Sequence, residues 1–120
     1  MSLLAEVLRV LERERVPHAL IGDGSEIVDV VVGRHAWERE IVEAAERLSV
    51  GEVTVPVARP VGLVLLKLHA GGPKDAWDIH ALLDAAERPS ELEAEVERLV
   101  LNLPANARKL WSRLRDGRRP

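Results

Sequence analysis

The pair Asp23-Gly24 stands between two β-prone runs, His18-Ala19-Leu20-Ile21-Gly22 and Ser25 to Val32. A type I′ hairpin turn needs positive φ at both central positions, and Asp-Gly supplies it at low steric cost. A two-residue turn also fixes the register, since each residue before it must face one after it. Gly22 is then expected opposite Ser25, Leu20 opposite Ile27, and His18 opposite Asp29. No other feature of the sequence limits the fold as much.

Around this hairpin the apolar spacing sets the remaining elements. Leu4, Val7, Leu8 and Leu11 recur at helical intervals, with Ser2 as N-cap and Pro17 as the stop. Trp37, Ile41, Ala44, Ala45 and Leu48 make a second helical stripe. Glu52 to Val57 alternates as a strand, and Pro56, which has no N–H, predicts an edge strand or one that ends at a sheet border. From there the pattern is helical. A helix from Val61 to Ala70 ends at Gly71-Gly72-Pro73, which also starts the next, burying Ala76, Ile79, Leu82 and Leu83. Ser90 to Val100 opens on a Ser-Glu-Leu-Glu capping box through Glu93. The last helix starts near Pro104 and buries Ala107, Leu110, Trp111 and Leu114. The order predicts an α+β fold with a small mixed or antiparallel three-stranded sheet flanked by helices. It also predicts one domain over 1–120, with an α/β part over 1–60 and a helical part over 61–120.

Composition narrows the setting. A chain of 120 residues, 47% apolar and 31% charged, can bury a core. The absence of cysteine excludes disulfides and thiolate metal sites. No apolar run is long enough for a signal peptide or a membrane span, so a cytoplasmic protein is the expectation. The net charge of −3 names no partner. Its distribution is uneven: Arg108, Lys109, Arg113, Arg115, Arg118 and Arg119 share the last segment with one acid, Asp116. That basic end is a candidate nucleic-acid contact, set against the plainer reading of a solvated helix face without aromatic residues for base stacking.

Two stretches carry a resemblance. Leu8 to Gly22, ending Val-Pro-His-Ala-Leu-Ile-Gly, is similar to the opening of nucleotidyltransferases of the bacterial toxin and abortive-infection type. A second stretch runs through Val55-Pro-Val-Ala-Arg-Pro and Leu63-Val-Leu-Leu-Lys67-Leu-His-Ala-Gly to Pro73-Lys74-Asp75-Ala-Trp-Asp78-Ile. It resembles that family's later motifs, where a helix bears a lysine and the next opens on Lys-Asp-x-x-Asp. The resemblance implies a nucleotidyltransferase-like fold, nucleotide contacts at Gly22, Lys67 and Lys74, and Asp29 as a ligand for Mg²⁺. Lys67, Lys74, Asp75 and Asp78 are the candidate catalytic residues.

The departure from the family is equally informative. The family follows its Gly-Ser pair with a helix and then an Asp-x-Asp strand that feeds two metal ions. Here Gly24-Ser25 leads within a few residues to Asp29, leaving no room for that helix. On one alignment the Asp-x-Asp segment is excised; on another, Ile27 stands where its first aspartate should be. Either way one carboxylate remains, and Mg²⁺-assisted transfer depends on paired ones.

Each candidate also has a structural reading. Asp29 faces a cleft, water or His18 across the hairpin. Lys67 holds a phosphate or pairs with Asp78. His69 and His80 lack metal-ligand spacing and are expected at the surface, while Trp37, Trp77 and Trp111 are expected in the core. The leading expectation is a catalytically degenerate, regulatory or antitoxin-like protein acting as a homodimer or on another protein partner. The alternatives are an active transferase moving a nucleotide to protein or tRNA with Mg²⁺, and a nucleic-acid contact through the basic C-terminal helix.

Overall fold

The computed structural model describes residues 13, 18–21, 29–32, 34–50 and 53–118. Apart from Arg13, the first predicted helix, from Ser2 to Pro17, lies outside the described residues, as do the Asp23-Gly24 turn and Gly22. The fold is mixed α+β and mostly helical, and the chain divides into two compact units, Met1–Arg59 and Pro60–Pro120.

In the first unit β1 (His18–Ile21), β2 (Asp29–Val32), β3 (Glu46–Val50) and β4 (Val53–Val57) form one sheet in the order β2-β1-β4-β3, with α1 (Ala36–Glu43) between β2 and β3. The sheet has four strands, not the expected three. The additional strand, β3, comes from residues whose spacing continued a helical stripe. Helix α1 closes at Ala44 and Ala45, whose N–H groups reach the Glu40 and Val42 carbonyls at 3.0 and 3.2 Å. The following Glu-Arg-Leu-Ser-Val then pairs antiparallel with β4, from Glu46↔Val57 to Val50↔Val53.

β1 and β2 are antiparallel as expected, but in another register. His18 pairs with Val32 and Ile21 with Asp29, a slip of three positions from the arrangement that put His18 opposite Asp29. The register of the described pairs differs from the one a two-residue turn at Asp23-Gly24 would set, and that turn itself lies outside the described residues. Of the two placements expected for the strand with Pro56, the edge does not occur, since Pro56 stands one residue before the end of β4 and β4 lies between β1 and β3. Its contact with β1 is a single parallel pair, Leu20↔Val57, so Pro56 has no full second ladder to interrupt.

The second unit contains α2 (Pro60–Ala70), α3 (Pro73–Ala85), α4 (Pro89–Leu99), a 3₁₀ turn (Val100–Asn102) and α5 (Ala105–Arg118). Three of its helices open on proline, whose fixed φ suits a first helical turn where the missing N–H costs nothing. Val64, Leu65 and Leu68 of α2, Ile79 and Leu83 of α3, and Leu92 and Val96 of α4 are buried. So is the predicted α5 stripe of Ala107, Leu110, Trp111 and Leu114.

Two details differ from expectation. Pro89 opens α4 with Arg88 as N-cap, so Ser90 is already helical and the Ser90–Glu93 capping box does not form. Trp77 is 75% exposed rather than in the core. It precedes Ile79 by two residues, about 200° around the helix from the buried face. Among the described residues, no helix is long and apolar enough to cross a membrane.

Candidate functional site

The reversal from α2 into α3 is built by local stereochemistry. Gly71 adopts φ of +69°, the left-handed conformation glycine takes without penalty, and its N–H donates to the Lys67 carbonyl at 2.9 Å. Gly72 is extended, and its N–H donates to the Asp75 carboxylate at 2.9 Å, which caps α3 while Pro73 occupies the first turn. This geometry brings the last turn of α2 against the first turn of α3.

The lysine of α2 therefore meets two aspartates of α3. Lys67 Nζ donates to Asp78 Oδ2 at 2.8 Å and lies 4.0 Å from Asp75 Oδ1. The three side chains are only 26%, 29% and 27% exposed, so the pairing is shielded enough to matter energetically. Lys67 is thus paired with Asp78, while Asp75 divides its two oxygens between a helix cap and the lysine. Lys74, one turn before Asp78, is exposed and makes no ion pair or hydrogen bond with a described residue. Of the other predicted site residues, Asp29 opens β2 opposite Ile21 in the first unit, and Gly22 lies outside the described residues.

This arrangement does not fit a Mg²⁺ ion. A divalent cation at Asp75 and Asp78 would have to displace Lys67 from a 2.8 Å contact and withstand its charge. Among the described residues no group of three or more histidine or acidic side chains converges as metal ligands.

The basic last helix divides into two faces. On one, Arg115 and Trp111 Nε1 both donate to Glu97 Oε1 of α4, the tryptophan at 2.9 Å. The Glu97 hydrogen bond holds the Arg115 pKa above its ordinary value. Arg118 donates to Asp84 at 2.7 Å and to His80 Nδ1 at 3.2 Å, and lies 3.7 Å from Glu93. His80 is thereby a half-buried structural partner, and His69 is exposed. On the other face Lys109 and Arg113 are exposed and make no ion pair with a described residue. Glu97, Asp84 and Glu93 carry no sequence signal for these roles, because contacts between helices leave no periodicity along either one.

No protein-family model matches the chain, and no curated protein sequence shows significant similarity to it.

Proposed function

We propose that the chain is a catalytically degenerate nucleotidyltransferase-type protein that acts by binding a protein partner, in the first instance a second copy of itself. The observation that carries this reading is the closure of Lys67 on Asp78 and Asp75. A lysine that neutralises a substrate phosphate needs its ammonium group open to that phosphate. Here the motif fastens two helices together, and the retained residues serve the scaffold. Support for the partner comes from apolar side chains left at the surface. Trp77 and Leu101 are 75% and 68% exposed, and tryptophan in particular is a side chain that protein interfaces favour.

Incubation of the full chain with Mg²⁺ or Mn²⁺ and labelled nucleoside triphosphates should label neither the protein nor tRNA, and light scattering should give the mass of a dimer. Lys67→Ala should cost about 1–2 kcal/mol in chemical unfolding, the loss of a shielded charged hydrogen bond, and change no nucleotide affinity. Label transfer abolished by Lys67→Ala would replace this reading with the active transferase. A stable species with the mass of one chain would remove the self-association.

A further inference from the structure

A cleft of about 470 Å³ runs between the end of α2 and the first turns of α5. Leu68 and Leu110 contribute apolar walls, Gly71 sits at the end of α2, and Asn106, Lys109 and Arg113 bring polar groups from α5. Lys109 and Arg113 are four residues apart, hence on one face of the helix. Two like charges at that spacing repel, and nothing among the described residues neutralises either. The rest of the helix is arranged differently, since Arg115 and Arg118 each have carboxylate partners.

We propose that this cleft binds a phosphoryl group, presented by a small phosphorylated molecule or by a nucleic-acid strand. Arginine offers a planar fork that matches two phosphate oxygens, and the neighbouring lysine adds a mobile point charge. Asn106 lies in the first turn of α5, where the helix dipole also favours an anion. The carboxyl end of α2 opposes it from the other side, so the two cations decide the sign of the site. His69 also lines the cleft and is the single aromatic ring among its lining residues. The two cations direct recognition to the phosphate, and any base contact falls to that imidazole. The cleft shares no residue with the Lys67 cluster, and it stands whether or not the protein is degenerate.

The test titrates the full chain with inorganic phosphate, a nucleoside monophosphate and a labelled single-stranded oligonucleotide, at low and physiological salt. Lys109→Glu and Arg113→Glu should each weaken binding at least about tenfold, with the affinity of the unaltered chain falling as salt rises. Arg98→Glu makes the same charge change at an exposed position outside the cleft, and should stay within about twofold of the parent. Lys67→Ala should leave binding unaltered, which separates this result from the fate of the catalytic motif. Displacement of the oligonucleotide by the small phosphates supports the site with a small ligand; persistence of the complex supports it with a strand. Failure of the unaltered chain to bind all three probes at low salt overturns the proposal. So does equal weakening by Arg98→Glu and Arg113→Glu, which would mean attraction to net charge alone. Circular dichroism and melting of each variant show that the fold is kept.

Discussion

The two faces of α5 hold the same kinds of residue and do opposite things. On one face Trp111, Arg115 and Arg118 are bound to Glu97, Asp84, Glu93 and His80, tying α5 to α3 and α4. On the other face Lys109 and Arg113 have exposed side chains without an ion pair among the described residues. Composition along the helix is nearly uniform, so the distinction comes from what the neighbouring helices present. An arginine facing a carboxylate is structural; one facing only solvent and an apolar-walled cleft is free to meet a ligand.

Substitutions should expose that asymmetry, most strongly at Trp111. Its side chain is 1% exposed, and Trp111→Ala should cost about 3–5 kcal/mol through the cavity it leaves. Trp111→Phe keeps most of the volume and loses the donor to Glu97, so about 1–2 kcal/mol is expected. Urea unfolding of both variants separates packing from the hydrogen bond: a Trp111→Phe variant as stable as the parent would deny the hydrogen bond any role, and equal losses in the two variants would deny one to packing. A smaller contrast lies in the charges. Arg118→Ala should cost about 1 kcal/mol, because its partners are partly solvated, whereas Lys109→Ala with Arg113→Ala should stay within about 0.5 kcal/mol of the parent. If the outer pair proved the costlier to remove, the assignment of the two faces would be reversed.

How much of this was legible depends on the kind of signal. The stripe Ala107, Leu110, Trp111 and Leu114 repeats at helical spacing, and the helix buries that stripe. Gly71-Gly72-Pro73 was legible because only particular backbone conformations suit those residues, and the chain uses them. The Lys67–Asp78 pair could be anticipated once the reversal placed one helix against the next. Glu46–Val50 could not, since Leu48 extends the stripe of Ile41 and Ala44 as readily as it alternates in a strand, and only pairing with β4 decides between them. Trp77 was assigned to the core by residue type, although its position relative to Ile79 and Leu83 points away from it. The cleft was hidden for the reason given above: in the sequence, Lys109 and Arg113 look no different from Arg115 and Arg118.

The sheet of the first unit has a seam. β3 and β4 follow each other closely in the sequence, while Leu20 and Val57, the single parallel pair between β1 and β4 among the described residues, are 37 positions apart. Closing so long a loop costs chain entropy before the contact returns anything, so this pair forms late in folding, after both antiparallel hairpins exist. It is also the first ladder to part, because one register pair cannot match the five between β3 and β4. Hydrogen–deuterium exchange should find the backbone where β4 meets β1 opening ahead of the β3–β4 ladder. Slower exchange at the seam would mean that the sheet opens as one cooperative piece rather than as two hairpins that meet and separate.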